Sequence, residues 1–325
     1  MPCTITYTVT ATCPDGTWSK RTANITGGCV APADSLSRPC KVPPPPRIIK
    51  GVNCANAEKF TGAPDFQTSV DALGVKLMRF PGGTVSSTYH NADLDKMVTL
   101  AKNSNVKVLW VANLYSGTTA EMIAAVDAFT VAGVDVVGVE LGNEYYLNKW
   151  QDVFPDADSY ITKCKTFITA LKGKYPNIPT GIVAAPSANM KDPDSQGVAT
   201  KRLTDWNAGV LNSGIGDAVI IHAYTNEADA AGFFGYAMDH FTYVSTTTKH
   251  PVWITEWNML KSEQTPAQCA YIHDFFTLLY STPVVQFACL HNLVAAGLNN
   301  NAIGVTTGRR GKATVTPLGV QLGKE

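Results

Sequence analysis

Two short stretches of the chain each carry a glutamate that could take part in proton transfer or nucleophilic attack. They are Glu140-Leu-Gly-Asn-Glu144 and Trp253-Ile-Thr-Glu256-Trp-Asn258. A glutamate in a run of Trp, Ile and Thr is costly to bury unless it faces a polar cavity, whereas Glu144 taken alone also fits a carboxylate at a helix start. Two carboxylates that face one cavity can divide the work, because a protonated one can donate to a leaving oxygen while an ionised one attacks carbon. The pair therefore predicts cleavage of a glycosidic bond.

Aromatic and polar side chains accompany these glutamates. Flat rings stack on the apolar C–H faces of sugars, which makes Trp257 and Trp110 candidate sugar-binding residues, although core packing is the alternative for Trp110. Further rings follow the third and fourth predicted strands, namely Tyr115, Tyr145, Tyr146 and Trp150. His222, His291 and Asn113 also stand at predicted strand ends, with their roles left open. Because the two histidines lie on separate strands and no third ligand is evident, no metal site is expected.

Residues so far apart in sequence meet only where a regular fold brings strand ends together. From Arg47 onward, β-branched runs alternate with amphipathic stretches of helical length, as in parallel βα units. Strands are predicted at 48–53, 76–80, 106–112, 134–141, 180–184, 218–222, 252–256 and 285–291, and helices include 94–103, 121–132, 158–174 and 266–281. Eight such units predict an α/β fold, a closed (β/α)₈ TIM barrel whose strand ends converge on one mouth. A doubly wound open sheet is the alternative, and the lack of a GxGxxG or GxxxxGK[ST] loop weakens it.

The two ends of the chain differ from this central pattern. Thr4 to Ala11 alternates polar and apolar residues before a Pro-Asp-Gly turn, so residues 1–42 are predicted to form a small β module. Four prolines at 43–46 form a stiff linker, which places the barrel at 47–325. Near the end, Thr316 and Pro317 are typical of a helix start. The short helix that would follow leaves open a further C-terminal β domain that is missing from this chain.

The eight cysteines fall into two sets. One set lies in the small module and comprises Cys3, Cys13, Cys29 and Cys40, and the other lies in the barrel and comprises Cys54, Cys164, Cys269 and Cys289. None has the CxxC spacing of a zinc site. The first set is expected to form disulfides, because a segment with so few apolar residues needs covalent cross-links to be stable. Disulfides imply an oxidising compartment. The barrel set is expected to remain as ordinary thiols, mostly buried.

Composition narrows the choice of partner. Lys and Arg total 26, as do Asp and Glu, so the formal net charge is zero and no global field favours nucleic acid or an anionic membrane. No apolar run approaches the roughly 20 residues that span a bilayer. We expect a mature, secreted protein, extracellular or at the cell surface, whose export signal has been removed. Its oligomeric state is not predicted.

The strand-end motifs resemble those of the retaining TIM-barrel glycosidases called clan A. The resemblance covers residues 47–325 and rests on the motifs Arg79-Phe-Pro-Gly-Gly83, Glu140-Leu-Gly-Asn143-Glu144, His222-Ala-Tyr224 and Glu256-Trp257-Asn258. Within the clan, the set is most similar to glycoside hydrolase family 51, the α-L-arabinofuranosidases, with heparanase-like β-glucuronidases as more distant relatives. The resemblance adds Asn258 to the candidate substrate-binding residues.

The resemblance implies a role for individual side chains. Glu144 would be the general acid/base and Glu256 the nucleophile of a retaining double displacement that needs no cofactor. Arg79 would keep Glu256 ionised, Asn143 would hold the hydroxyl next to the reacting carbon, and Tyr224 would position the nucleophile. The alternatives are a salt bridge inside the barrel floor for Arg79 and packing at the barrel rim for Tyr224.

Three positions depart from family 51, which carries Asn at Thr84, Glu at Asn53 and Gln at Cys289. These positions contact the furanose ring in the family, and no basic cluster marks the strand ends. We therefore expect a neutral polysaccharide or oligosaccharide substrate, with arabinofuranosides the first to test. One rival is a catalytically inactive carbohydrate-binding or structural extracellular protein, which the retention of both carboxylates disfavours. The other is a non-hydrolytic barrel enzyme such as an aldolase or a phosphate-binding isomerase. Such an enzyme would need a Schiff-base lysine at a strand end or a Gly-rich phosphate loop after strands seven and eight, and Asn299-Asn300-Asn301 does not resemble such a loop.

Overall fold

A computed structural model describes residues 4–12, 18–26, 48–190, 195, 197–225, 230–259, 264–280, 282–294 and 313–324. The chain divides into two compact units, Met1–Arg47 and Ile48–Glu325. The cysteines predicted to form disulfides, at positions 3, 13, 29 and 40, lie outside the described residues, as do the four linker prolines. The disulfide staples therefore stay a prediction.

The leading unit contains a two-stranded antiparallel sheet. Strands β1 (Thr4–Thr12) and β2 (Trp18–Thr26) pair with Thr4 opposite Thr26 and Thr12 opposite Trp18. Alternating polar and apolar residues in β1 favour this arrangement, because successive side chains of a strand point to opposite faces. The hairpin extends the strand expected at Thr4 to Ala11 by one residue.

The second unit is a closed barrel of eight parallel strands with helices between them, which confirms the predicted (β/α)₈ architecture. The strands are β3 (Ile49–Asn53), β4 (Leu77–Phe80), β5 (Lys107–Val111), β6 (Val136–Glu140), β7 (Thr180–Val183), β8 (Ala218–Thr225), β9 (Val252–Met259) and β10 (Val285–His291). They follow one another around the barrel in sequence order, and β10 closes it by pairing with β3. The carboxyl ends of all eight therefore face one mouth.

Helices surround the barrel and alternate with its strands. They are α1 (Phe66–Asp71), α2 (Leu94–Asn103), α3 (Thr119–Val131), α4 (Ala157–Lys174), α5 (Thr200–Asn212), α6 (Ala230–Thr248), α7 (Pro266–Tyr280) and α8 (Pro317–Lys324). Local sequence fixes several starts: a capping box joins Thr118 and Glu121 at α3, and Asp156 accepts a hydrogen bond from the Ser159 amide at α4. Among the described residues, no helix is long and apolar enough to cross a membrane.

A large ring fills the barrel interior beneath the mouth. Trp253 on β9 is fully buried, and its indole lies against Gly138 on β6 and Gly181 on β7. A Cβ atom at Gly138 would stand 2.6 Å from this ring, and one at Gly181 would stand 2.8 Å from it, so both strands need glycine there. The interior is therefore a packed floor on which the mouth residues rest.

Strand β9 contains a bulge at the level of the predicted nucleophile. Ile254 pairs with Ile221 and Trp257 pairs with Ala223, so three steps along β9 match two steps along β8. The pairing of β9 with β10 shifts in the same interval. Bulges of this kind re-aim side chains and occur often beside active sites. Here the extra residue lets Thr255 and Glu256 both reach the interior.

Candidate active site

Arg79 is the centre of the polar cluster at the mouth. It lies near the end of β4, is fully buried, and forms a two-pronged ion pair with Glu140 at the end of β6. Its Nε donates to one carboxylate oxygen at 2.7 Å and its Nη2 to the other at 2.6 Å. Burial raises the pKa of Glu140, but the charges and hydrogen bonds of Arg79 and His222 together outweigh burial and lower the pKa of this carboxyl. The sequence placed Glu140 in a motif but did not assign it a role. A glutamate within a predicted buried strand is the feature that could have indicated one.

The remaining donors of Arg79 bind three further side chains. Nη1 donates to Glu256 and, at 3.2 Å, to Oδ1 of Asn53, while Nη2 donates to Oδ1 of Asn143 at 2.8 Å. The guanidinium thus lies within a shell of carboxylate and amide oxygens. Since it is fully buried, it has no donor directed to solvent that would attract a substrate anion.

Glu256, on β9, is held as a carboxylate. Tyr224 on β8 donates its hydroxyl hydrogen to Oε2 of Glu256 at 2.7 Å, and His291 Nδ1 lies 3.7 Å from the same oxygen. Burial raises the pKa of Glu256, but the charges of His222, Arg79 and His291 and the hydrogen bond from Tyr224 together hold it well below its usual range. An ionised carboxylate at this position has the state that a nucleophile requires.

Glu144 follows β6 by a tight turn and lies in a different environment. Its backbone has φ of 50°, and Gly142 has φ of 93°, a left-handed turn in which a Cβ at Gly142 would meet the Tyr145 ring at 1.9 Å. Oε2 accepts from Asn143 Nδ2 at 3.3 Å, and Oε1 lies 2.9 Å from His222 Nδ1. No described arginine or lysine forms an ion pair with Glu144, in contrast to Glu256.

His222 joins the two carboxylates from β8. Its Nε2 lies 3.1 Å from Oγ1 of Thr255, the residue that the bulge admits to the interior. Burial lowers the pKa of His222, but the nearby carboxylates of Glu256, Glu140 and Glu144 raise it to about 10. The sequence did not indicate that Thr255 contacts His222, because the residue types do not reveal the bulge that turns this side chain inward.

The geometry brings the two predicted catalytic carboxylates together. One oxygen of Glu144, one of Glu256 and a ring nitrogen of His222 all lie within 4.8 Å of one another. Three such groups could in principle bind a metal ion. The buried Arg79 guanidinium already contacts Glu256, however, so a dication beside it would meet strong repulsion.

The two tryptophans predicted to bind sugar, Trp257 and Trp110, are buried and pack away from this cluster. Trp257 is 1% exposed and stacks on Phe276 of α7 with centroids 5.6 Å apart, because it alternates with Glu256 and faces the helix layer. Trp110 is 2% exposed and packs against Phe129 of α3 at 5.8 Å. Both rings stabilise the junction between barrel and helices.

Two predicted asparagines fasten loops at the mouth. Asn113 Nδ2 donates to the Tyr89 carbonyl at 3.1 Å and Oδ1 accepts from the Ser116 amide at 2.9 Å, which fixes the loop after β5. Asn258 donates to the backbone carbonyl of His291 and so joins the ends of β9 and β10. Their amides are therefore engaged by protein groups, whereas His291 itself lies beside Glu256.

The further aromatic candidates form a packed cluster after β5 and β6. Tyr145 is fully buried and its hydroxyl accepts from the Leu114 and Tyr115 amides, each at 3.2 Å. Tyr115 packs on Trp150 with centroids 4.9 Å apart and donates to Asp152 at 2.7 Å. Of these three rings, that of Tyr115 is the one that is not fully enclosed.

Comparison with known proteins adds evidence on the fold. The sequence finds no match among protein-family models or curated proteins. Among solved structures, the α-L-arabinofuranosidase of Thermotoga maritima in its arabinose complex superposes with a TM-score of 0.66 at 18% identity, over 86% of this chain and 70% of that one. The thermostable GH51 α-L-arabinofuranosidase of Thermotoga petrophila gives 0.63 at 18% identity, over 80% and 62%. This chain thus spans less than two thirds of the length of the Thermotoga petrophila enzyme.

A third solved structure represents another glycosidase group. The GH128 endo-β-1,3-glucanase of Sorangium cellulosum superposes with a TM-score of 0.56 at 15% identity, over 84% of this chain and 97% of that one. The structural neighbours therefore include GH51 arabinofuranosidases and other glycosidases built on the same barrel. At these identities the likeness establishes the fold, and activity has to be argued from the site.

Proposed function

We propose that this protein is a retaining glycoside hydrolase in which Glu256 is the nucleophile and Glu144 the general acid/base. The proposal is carried by one observation: two carboxylates from the ends of β6 and β9 have oxygens within 4.8 Å of each other. Carboxyl groups of retaining glycosidases lie about 5 to 5.5 Å apart, whereas inverting enzymes need about 6.5 to 9.5 Å to admit a water molecule. The short separation supports double displacement.

The surroundings of the two carboxylates support the division of roles. Glu256 is neighboured by Arg79 and accepts from Tyr224, so it is ionised and its attacking oxygen is held in place. Glu144 lies among Asn143 and His222, which hold its side chain by hydrogen bonds.

The mechanism has two steps. Glu256 forms a bond to the anomeric carbon as the bond from that carbon to the leaving oxygen breaks, and Glu144 gives its proton to that oxygen. Glu144 then takes a proton from water, the water oxygen bonds to the anomeric carbon, and the bond to Glu256 breaks. Arg79 and Tyr224 stabilise the carboxylate that leaves in the second step. The residues of the chain suffice, and no cofactor takes part.

The substrate we propose is a neutral polysaccharide or its oligosaccharides. Arg79 is enclosed by oxygen acceptors and cannot bind a substrate carboxylate as well. An arabinofuranoside is the first compound to test, because the solved structures that superpose with this chain include arabinofuranosidases. The site differs from that expected of family 51 at three positions. Asn53 binds Arg79, Cys289 is buried, and Thr84 accepts from Lys149.

We further propose that the protein works outside the cell, with residues 1–42 as a disulfide-stapled module. The support is the four cysteines among the first 40 residues, which contrast with the free thiols of Cys54, Cys164, Cys269 and Cys289 in the barrel. Titration of free thiols in protein isolated from its native compartment tests this proposal. Eight free thiols in the unfolded, unreduced chain would contradict it, and four would agree with it.

Hydrolysis of a panel of glycans tests the proposed function directly. Wild-type protein is incubated with arabinan, xylan, β-1,3-glucan and aryl glycosides of neutral sugars, and released sugars are measured. We expect turnover of at least one neutral compound by the wild type and loss of nearly all turnover in Glu256→Gln, since an amide cannot form the glycosyl intermediate. Glu144→Gln should retain some activity on aryl glycosides whose leaving group needs no protonation, at a rate limited by slow release of the sugar from Glu256. Equal rates for all three proteins would refute the assignment.

A further inference from the structure

Two tyrosines of α6 expose their rings to solvent. Tyr236 is 46% exposed and Tyr243 is 57% exposed, and no other Phe, Tyr or Trp side chain is exposed in the part of the chain whose side chains are described. Seven residues are nearly two full helical turns, so the rings lie on one face of α6 about 10 Å apart along its axis. Exposed apolar surface concentrated in one place marks a binding site more often than scattered residues do.

Both rings line a cleft between α5 and α6. The cleft has a volume of about 380 Å³, and its far wall is the segment that follows β7 together with α5 residues. Its lining also includes Ser187, Asn189, Leu203, Thr204, Asp239 and His240. A volume of this size falls within the range of small-ligand sites, about 300 to 1,000 Å³.

The wall opposite the tyrosines is rigidly held. Asn207 of α5 accepts from the Ala185 amide at 2.8 Å and donates to the Ala185 carbonyl at 3.0 Å. His240 of α6 donates from Nε2 to the same carbonyl at 3.0 Å. These bonds fasten both helices to the chain at the end of β7, so the cleft is formed before any ligand arrives and binding needs little ordering.

The helix itself supports the two rings. The Tyr236 ring lies over Gly232, where a Cβ atom would stand 3.0 Å from it. The Tyr243 ring lies nearly parallel to the buried His240 ring, with an interplanar angle of 23° and centroids 6.4 Å apart. Each tyrosine therefore has a defined resting position and still offers a ring face to a ligand.

The charges of the side chains that line the cleft favour a neutral ligand. Among the described residues that line the cleft, Asp239 is the single carboxylate and none is a lysine or arginine. Burial lowers the pKa of His240, so this ring adds no positive charge at neutral pH. An anionic ligand would find no cation, whereas a sugar can place C–H faces on the rings and hydroxyls on polar groups such as Asn189 and Asp239.

We propose that this cleft is a second carbohydrate-binding site, which takes an extended neutral glycan chain on Tyr236 and Tyr243. The choice of ligand rests on the proposed glycosidase function. The cleft shares no residue with the cluster around Glu256, but its wall begins at Pro186, three residues beyond the end of β7 and at the same end of the barrel as the mouth. A polymer held there stays beside the catalytic end. Because the rings are farther apart than the width of one sugar, a glycan chain can stack on both rings at once, whereas a monosaccharide can stack on only one.

Affinity electrophoresis in gels containing arabinan, xylan or β-1,3-glucan tests the site. The Glu256→Gln background prevents degradation of the gel polymer during the run. We expect at least one polymer to retard this protein and the added Tyr236→Ala and Tyr243→Ala changes to weaken binding roughly tenfold or more, about three- to tenfold per ring. Tyr243→Trp should retain binding, and Val131→Ala, which removes exposed apolar surface elsewhere, is the matched control. No retardation by any polymer, or equal retardation of the double variant, would overturn the site.

Turnover measurements separate failure of this site from failure of the proposed function. In the otherwise wild-type protein, the two tyrosine substitutions should leave aryl glycoside hydrolysis unchanged and slow polymer degradation at low polymer concentration. Hydrolysis of polymer by the double variant at the wild-type rate contradicts the second site and leaves the glycosidase intact. Retardation that depends on both tyrosines, without hydrolysis of any glycan, contradicts the glycosidase and leaves the site intact.

Discussion

At the scale of single residues, the site is organised by one cation shared between two carboxylates. Arg79 binds both oxygens of Glu140 and also contacts Glu256, all three being nearly or fully buried. Glu140 thus neutralises Arg79 and holds its plane, while Arg79 and Tyr224 each donate to one oxygen of Glu256. Buried charges of this kind are stable only as a set.

Substitution of Arg79 tests this interdependence. Arg79→Leu leaves Glu140 and Glu256 without their cation, so we expect loss of turnover and a fall of roughly 3 to 5 kcal/mol in the free energy of unfolding. Chemical denaturation at neutral pH measures the fall. Since Glu140 would regain neutrality by protonation, the variant should lose less stability at pH 4 than at pH 7. An equal loss at both values would count against the ion-pair account.

The hydroxyl of Tyr224 makes a second prediction possible. Tyr224→Phe removes the donor that lies 2.7 Å from Glu256 Oε2. Hydrogen bonds to charged groups contribute about 1.5 to 3 kcal/mol, so kcat should fall roughly ten- to a hundredfold. The pKa of Glu256 should rise with this loss, which moves the acidic limb of the pH–kcat/KM profile to higher pH. A lower rate with an unmoved acidic limb would show a merely structural role.

At the scale of secondary-structure elements, β9 explains which residues reach the mouth. Its bulge between Ile254 and Trp257 sets Glu256 opposite His222 and Asn258 opposite Tyr224, while Trp257 faces α7. Interior and exterior positions alternate along a strand. The position of one extra residue therefore decides which side chains face the mouth and which pack against the helices.

Trp257 provides the test at this scale. Trp257→Phe should lower the free energy of unfolding by roughly 1 to 3 kcal/mol, because it leaves a gap against Phe276 and Phe275. The KM for any substrate should stay unchanged, since the indole faces the helix layer. A large rise in KM with unaltered stability would instead indicate a stacking role in sugar binding.

The sequence predicted the barrel well because the fold depends on regular patterns. All eight strands lie where β-branched runs indicated them, and α2 at Leu94–Asn103 has the predicted bounds. The ends of β8 and β9 were predicted too short, since Tyr224 and Asn258 are polar residues that a buried strand tolerates only at the mouth.

The side of the strand to which each side chain points could not be predicted in the same way. A strand buried on both sides shows no polar alternation, so the runs around Trp110 and Trp257 do not reveal which face holds the ring. The register shift that admits Thr255 likewise depends on pairing with β8 and β10, which local residue types do not encode.

At the scale of the whole molecule, the buried charges connect the site to stability. His222 lies within 4.0 Å of Glu140, Glu144 and Glu256 and is itself buried. Its proton is therefore bound much more tightly in the folded chain than in the unfolded chain. The site therefore stabilises the folded chain only in the pH range in which His222 carries its proton and the carboxylates around it are ionised.

This balance predicts a pH dependence of unfolding. The nearby carboxylates raise the pKa of His222 to about 10 against the opposing effect of burial, whereas a histidine in an unfolded chain has a pKa of about 6.5. The folded state thus holds one more proton between these values, and the free energy of unfolding falls as pH rises from about 6.5 to about 10. Urea unfolding at pH 6, 8 and 9.5 measures the slope, which His222→Asn should reduce. An unchanged slope in that variant would contradict the assignment.

The central claim is that Glu256 forms the glycosyl intermediate, and trapping that intermediate tests it most directly. In Glu144→Gln, an aryl glycoside with a good leaving group can still glycosylate the nucleophile, but the base that activates water is absent, so the intermediate accumulates. Rapid acid quenching, proteolysis and mass spectrometry then locate the added sugar. We predict a single glycosylated peptide, modified at Glu256, that is lost in the Glu144→Gln, Glu256→Gln double variant. A sugar attached to any other residue, or steady hydrolysis without a labelled peptide, would contradict the account.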